Sequence, residues 1–334
     1  MTAAHVEVLD GAEGVCRNWE VTLLCWQCGA PLAELTPDTR TGSGIRTCQR
    51  CKMTTRYRNG IWRALSPDRV DHFRKFIAEY ELIRAAEGRG SAQPEYYLNL
   101  PFKDMSGRNS DQWAIRARTF RAMQRSIVAP LALRAGCALR ILDLGAGNGW
   151  LSYRLALQGH FPIAVDLLTN DRDGLGAAVH YNAHIHPLFP RVQAELDRLP
   201  FVSSVFDLVI FNASFHYSVN YERTLAEAVR CTCPGGSVVI ADTPWYAKEE
   251  SGRRMVEEKH KRFFATYGFA SDSIASLEYL TPTRLQRLGN AFNLGWRSIS
   301  PFYGIRWALR PLRAKLAGNR PPSQFRIYEA RVGA

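Results

Sequence analysis

No apolar stretch in these 334 residues reaches the roughly 18–20 needed to cross a bilayer. The N-terminus lacks a basic start followed by an apolar core, so no secretory signal is expected. The expected location is then the cytoplasm, where disulfides are rare. There is no internal repeat and no low-complexity tract, which argues against solenoid and disordered classes. Acid is the scarce charge: 31 Asp and Glu stand against 43 Lys and Arg, a formal net charge of +12. From Arg284 onward ten basic residues meet Glu329 alone, and Arg306–Lys315 is the densest part. A second basic group comprises Arg46, Arg50, Lys52, Arg56, Arg58 and Arg63. Basic faces attract phosphate backbones, so RNA is one partner to consider; a solvated arginine-rich surface is the plainer alternative. What the chain does have is 46% apolar residues, enough to bury a full core in two or three domains.

The most informative stretch is Ile141-Leu-Asp-Leu-Gly-Ala-Gly-Asn-Gly149. An apolar run ends in Asp143, a turn carries Gly145, Gly147 and Gly149, and a helical pattern starts at Trp150. Strand, tight turn and helix start bring free N–H groups and a partial positive charge to one place. A dinucleotide fingerprint wants glycine at the sixth position of Gly-x-Gly-x-x-Gly; here Trp150 stands there. A second apolar run, Phe161–Asp166, ends in an acid 23 residues after Asp143. That is close to the separation of a ribose-binding carboxylate, though Asp also caps helices well.

These two segments resemble the cofactor loop and ribose acid of class I S-adenosylmethionine-dependent methyltransferases, with type-11 enzymes the nearest pattern. Two further segments follow in order. Val192–Phe201 places Glu195 five residues before Pro200, where the family usually has Asp near the adenine amino group. Phe206–Asn212 and Pro234–Asp242 resemble strands four and five. The resemblance covers about residues 131–334. It implies a Rossmann-like α/β fold with a seven-stranded sheet, closed by an antiparallel pair at 295–302 and 324–332. It also implies a cofactor site of Asp143, Gly145, Ala146, Gly147, Gly149, Asp166, Leu167, Glu195, Leu196 and Asn212. Leu196 would offer its backbone N–H to the adenine ring, and Asn212 would stand beside the sulfonium.

Four of the eight cysteines form two Cys-x-x-Cys pairs, Cys25/Cys28 and Cys48/Cys51, with 19 residues between them. That is zinc-ribbon spacing. Four thiolates leave no open coordination position, so zinc there is expected to be structural; two disulfides are the alternative reading. Cys16 and Cys137 stand alone, and Cys231-Thr-Cys233 reads as packing near a strand. A segment this short needs metal binding to supply folding energy.

The expected layout is a ribbon in 1–64, a helical linker or cap in 65–130 and the methyltransferase domain in 131–334. Residues 66–87 have helical spacing of Val70, Phe73, Phe76, Ile77, Tyr80 and Ile83. Ser110 is read as the cap of a helix running through Val128. In similar enzymes that helix folds across the cofactor; its Trp113, like Tyr96 and Tyr97, reads equally well as core. Residues 246–281 are read as a lid whose rings hint at a flat or apolar acceptor. Catalysis of methyl transfer is chiefly alignment and water exclusion. Where a base is required, His216 is the candidate, four residues past Asn212, with Tyr217 and Asp242 behind it.

Two functions follow. The first is a methyltransferase for a small aromatic or lipid-like metabolite. The second is an RNA enzyme like the zinc-ribbon ribosomal-RNA guanine methyltransferases, whose metal site usually ends in histidine. A non-enzymatic docking role for the ribbon conflicts with the intact glycine turn and Asp166. The sequence is silent on oligomeric state.

Overall fold

The computed structural model describes residues 21–35 and 43–333; Cys16 lies outside them. The strands are β1 (Val21–Leu24), β2 (Pro31–Leu35), β3 (Gly44–Thr47), β4 (Thr54–Arg58), β5 (Ile61–Arg63), β6 (Arg140–Leu144), β7 (Phe161–Asp166), β8 (Arg191–Gln193), β9 (Phe206–Asn212), β10 (Thr232–Ala241), β11 (Trp296–Ile299) and β12 (Ile327–Arg331). β1 and β2 form an antiparallel hairpin of their own. The rest make one ten-stranded sheet in the order β11-β12-β10-β9-β6-β7-β8-β5-β4-β3.

The expected sheet had seven strands, and ten are present. The stretch β11 through β8 supplies seven, parallel from β8 to β10 and antiparallel at the β12 and β11 edge, where the hairpin was expected. The other three come from the N-terminal module. β5 pairs in parallel with β8, Ile61 opposite Arg191 and Arg63 opposite Gln193. A short strand at a sheet edge leaves a row of unpaired N–H and C=O groups. The ribbon satisfies that row and extends it with two hairpin strands.

The sheet divides two apolar layers. β9 shows why it is central: Phe206, Leu208, Val209, Ile210 and Phe211 are all buried, on both faces, as an apolar parallel strand requires. One layer packs Trp113, Phe120, Met123, Ile127 and Trp150. The other holds Leu225, Leu288 and Tyr328, and also Val21, Leu23 and Leu35 of the ribbon hairpin. Leu23 bridges Phe201, and the N–H of Leu24 donates to Pro200 O at 2.8 Å. The ribbon therefore has no core separate from that of the sheet.

Helix starts follow local rules. Ser66 accepts from the Arg69 N–H, with Pro67 in the first turn of the Pro67–Ala86 helix, and Asn220 and Thr281 do the same for the Tyr221–Cys231 and Pro282–Phe292 helices. Ser110 differs from expectation: it is the first helical residue, preceded by Asn109, whose N–H donates to the Asp104 carboxylate at 2.6 Å. That helix also does not end at Val128. It runs regularly to Met123, widens into a π-turn over Gln124–Val128 and continues to Ala135. Pro130 gives the reason. It has no N–H and crowds the carbonyl four residues back. That carbonyl, Ser126 O, turns outward and accepts from Arg297 Nη2 at 2.6 Å.

Because the hairpin and the sheet share a core, Leu23→Ala is expected to destabilise the protein by about 2–5 kcal/mol and to lower one cooperative thermal transition. A separate early transition in calorimetry, with the main one unmoved, would show the ribbon to be an independent unit.

Candidate functional site

β6 pairs with β7 on one side and β9 on the other, both in parallel. The chain winds outward from β6 in both directions, which opens a crevice beyond the strand ends at that point. The glycine turn sits there. The N–H groups of Gly145 and Ala146 both donate to Val165 O, at 2.8 and 3.0 Å. Gly145 has φ +74°, and a Cβ on it would lie 2.2 Å from Ser214 Cβ; both facts require glycine. Asp166 braces the turn. Its Oδ2 accepts from Gly147 N at 2.7 Å and its Oδ1 from Leu168 N at 2.8 Å. Burial raises its carboxyl to about 6, against the lowering effect of those two N–H groups. Asp143 lies deeper. It accepts from Ser152 Oγ at 2.8 Å, and burial pushes its carboxyl to about 7.

Above this floor is a cleft with about 880 Å³ of empty space, part of it open to solvent. Eight of the ten expected cofactor residues line it: Asp143, Gly145, Ala146, Gly147, Asp166, Leu167, Leu196 and Asn212. Gly149 and Glu195 do not. Gly149 starts the Trp150–Ala156 helix in a left-handed conformation and faces Phe189 and Ala178. Glu195 is gripped by Arg69, Nε to Oε1 at 2.8 Å and Nη2 to Oε2 at 2.6 Å. The side chain that replaces the family's Asp thus reaches outward into a two-pronged ion pair.

Tyr217 also lines the cleft; His216 and Asp242 do not. His216 has its Nδ1 buried without a hydrogen-bond partner in the protein, and burial lowers its imidazole to about 4. It is neutral at pH 7 and a weak proton acceptor. Asp242 accepts from Thr119 Oγ1 at 2.6 Å, and the Thr119 hydroxyl also meets Tyr303 OH at 2.8 Å. Burial raises the carboxyl of Asp242.

The roof comes from the N-terminal helices. Phe76, Tyr80 and Arg84 are spaced by four on the Pro67–Ala86 helix and share one face. Trp113 and Arg116 come from the Ser110–Met123 helix. Tyr217 stands edge-on to Tyr80 and Phe76, at 5.7 and 6.4 Å between ring centres. Arg84 forms an ion pair with Asp173, whose Oδ1 also meets Asn148 Nδ2 at 3.4 Å. Sequence reading placed Phe76 and Tyr80 on an apolar helix face and passed over Arg84, Arg116 and Asp173. Arg84 could have been found, because it continues that face at the next turn; Asp173 lies in an irregular loop with no such signal. Tyr96 and Tyr97 are core. The 246–281 excursion gives the cleft no lining residue. It reaches the roof indirectly, through Ile274 against Phe73 and Phe76 and the Glu278 N–H donating to His216 O at 2.8 Å.

The four ribbon cysteines converge. Their Sγ atoms all lie within 4.8 Å of one another, with Cys25–Cys51 and Cys28–Cys48 at 3.6 Å. That is too long for a disulfide and near the roughly 3.8 Å edge of a tetrahedron with zinc–sulfur bonds of about 2.3 Å. The two knuckles are alike. Gly29 N donates to Cys25 O, and Lys52 N to Cys48 O. The residue after each second cysteine is left-handed, Gly29 at φ +70° and Lys52 at φ +61°. Backbone N–H donation, first from Cys51, lowers the Cys48 thiol to about 6, which suits a metal-bound thiolate.

Residues 142–240 match the family model for a "Methyltransferase domain". The chain carries a class I methyltransferase domain. Malonyl-[acyl-carrier protein] O-methyltransferase of Erwinia pyrifoliae is 31% identical over 112 residues, 32% of this chain and 38% of that protein. Demethylmenaquinone methyltransferase of Mycobacterium marinum is 32% identical over 111 residues, 33% and 44% of the two chains. This chain thus spans about two fifths of the curated relatives it matches. Among solved structures, a Haemonchus contortus phosphoethanolamine N-methyltransferase in complex with S-adenosyl-L-methionine aligns with TM-score 0.42 and 14% identity over 59% of this chain and 49% of that one. The matched methyltransferase segment contains the glycine turn, Asp166, Leu196 and Asn212, and leaves out the ribbon and both roof helices.

Left-handed backbone costs a non-glycine residue about 1 kcal/mol, so Lys52→Gly is expected to stabilise the second knuckle by about that amount. The measurement is the midpoint of unfolding as chelator concentration rises; a lower midpoint in the variant would contradict the strain.

Proposed function

We propose that this protein transfers a methyl group from S-adenosyl-L-methionine to a small acceptor with an aromatic or lipid-like body. The observation that carries the reading is one cleft whose floor is the Asp143–Gly147 turn with Asp166 and whose roof is Phe76, Tyr80 and Trp113. A carboxylate at the strand end beside a close-packed glycine turn matches a ribose; aromatic rings match an apolar acceptor. The two relatives are named for acceptors other than nucleic acid.

The cofactor would bring a methyl group on a positively charged sulfur. This chain's residues do the rest. Asp166 accepts from ribose hydroxyls while holding Gly147 in place. Leu196 borders the adenine end. Asn212 and Tyr217 line the same cleft and would border the acceptor. Phe76, Tyr80 and Trp113 exclude water and fix the line of attack. His216 lies outside the cleft lining and burial lowers its proton affinity, so the preferred acceptor attacks through an atom that needs no strong base, such as a carboxylate oxygen or an acidic hydroxyl. Zinc on Cys25, Cys28, Cys48 and Cys51 would be structural.

The test is labelled cofactor offered to two pools, total RNA and a small-molecule extract. Label in the extract supports the reading; label in RNA alone overturns it.

Two expectations follow from the site. Asp166 must be ionised to accept from two hydroxyls, and its carboxyl is raised to about 6. Cofactor affinity by calorimetry is therefore level above that pH and falls about tenfold per unit below it, whereas Asp166→Asn is weaker throughout by about 1.5–3 kcal/mol and shows no such fall. A parent curve flat from pH 7.5 to 4.5 would remove the carboxylate from the site. His216→Gln is expected to change turnover by less than about threefold; a loss of about a hundredfold, the scale of general base catalysis, would restore His216 as the base.

A further inference from the structure

Between β11 and β12 the chain leaves the sheet as two short helices, Ile305–Ala308 and Arg310–Leu316, joined through Leu309. Hydrogen bonds from Leu309 N to Ile305 O and from Arg313 N to Leu309 O carry the helical path across the join. Ile305, Leu309, Leu312 and Leu316 are exposed by 71, 40, 55 and 80%. At about 100° per residue these positions fall within an arc of about 60°. Four aliphatic side chains thus form one ridge facing solvent.

The opposite side of the segment is anchored. Trp307 stacks on Phe325 at 5.4 Å and packs against Tyr303 at 5.3 Å, and the Arg310 guanidinium lies 3.8 Å over the Trp307 ring. The ridge is therefore held outward by packing on its back. Basic residues flank it: by the same angles Arg306 and Arg313 lie on one side and Lys315 on the other. No Asp or Glu occurs between Glu278 and Glu329.

We propose that this ridge docks the protein on an anionic lipid surface, with the aliphatic side chains at the headgroup boundary and the flanking cations on lipid phosphates or carboxylates. Charge and apolarity select this occupant together. A nucleic acid would use the cations and leave the aliphatic ridge in water, and a neutral surface would use the ridge and leave the cations unpaired. An aliphatic stripe edged by Arg and Lys matches an interfacial helix. The segment is joined to the methyltransferase cleft by one hydrogen-bonded path. Tyr303, two residues before Ile305, meets Thr119, and Thr119 lies on the helix whose Trp113 and Arg116 roof the cleft.

The experiment is co-flotation of the full chain with vesicles of phosphatidylcholine alone and of phosphatidylcholine mixed with phosphatidylglycerol. The parent is expected to float with the mixed vesicles at least about tenfold better than with the neutral ones, and the preference shrinks with added salt. Leu312→Glu with Leu316→Glu is expected to abolish flotation while leaving the thermal transition and cofactor affinity unchanged, because both side chains are exposed. Arg306→Glu with Arg313→Glu is expected to remove the preference for anionic vesicles. Parent that stays unbound, or a Leu312/Leu316 variant that floats like the parent, would overturn the proposal. So would RNA retention displacing vesicle binding, or a parent dimer that the Leu312/Leu316 variant converts to monomer without any lipid binding. Cofactor affinity is read separately, so failure here leaves the methyl-transfer reading standing.

Discussion

The parallel pairing of β6 on both sides constrains everything else in this molecule. A central strand with parallel neighbours cannot hand the chain to either one by a tight turn, so its end must open into a crossover. Beyond that end the peptide groups have no ladder partner. The glycine turn supplies local ones, sending the Gly145 and Ala146 N–H groups to Val165 O. Gly147 N is then bound by the Asp166 carboxylate, at the tip of the adjacent strand. One side chain thus shapes the loop and presents acceptor oxygens to whatever fills the crevice. The raised proton affinity of that carboxyl is the consequence of holding a charge at the base of a partly closed cleft.

The ribbon belongs to the same construction. β5 completes the edge that β8 would otherwise leave open, and the hairpin before it buries Leu23 and Leu35 against Phe201 and Phe206. Its first knuckle touches the cleft's supports as well. Arg198 Nη2 donates to Trp26 O at 2.6 Å, and Glu195, next to Leu196 on the cleft wall, is fixed by Arg69 of the roof helix. A metal that held Cys25–Cys28 would therefore also steady the loop that brings Leu196 to the cleft wall, without contributing any lining atom.

Much of the site was legible because its chemistry is written in consecutive residues. Ile141–Gly149, the spacing to Asp166 and the paired Cys-x-x-Cys motifs each depend on local geometry, and local geometry follows sequence. What failed depended on distant partners. Glu195 has the position of an adenine ligand, but its extra methylene and a remote Arg69 take it out of the cleft. Ser110 has the chemistry of a cap, but it is the first residue of the helix, and the Asp104 carboxylate binds the N–H of Asn109 before it. The 246–281 excursion, read as a lid, gives the cleft no lining residue, whereas Trp113 lies on the helix expected to cross the cofactor and Phe76 and Tyr80 join it from the Pro67–Ala86 helix. Of the excursion's rings, Tyr246 lies in the core, Phe263, Tyr267 and Phe269 pack against one another, and Phe264 faces solvent. Nor could the ribbon's merger with the sheet be read, since three residues of β5 carry no pattern that names β8 as their partner.

Asp242 does not line the cleft, yet it binds a helix that does. It is buried in a left-handed conformation at the end of β10, with one oxygen on Thr119. Without that bond a buried carboxyl would be wholly unpaired, at a cost of about 1–3 kcal/mol or more. The bond fixes the helix that carries Trp113 and Arg116, and through Tyr303 it fixes the start of the connection between β11 and β12. Three elements far apart in sequence are thus set at one angle by two hydroxyls and a carboxyl. The exposed segment beyond Tyr303 and the helix that roofs the cleft are therefore anchored at one buried junction.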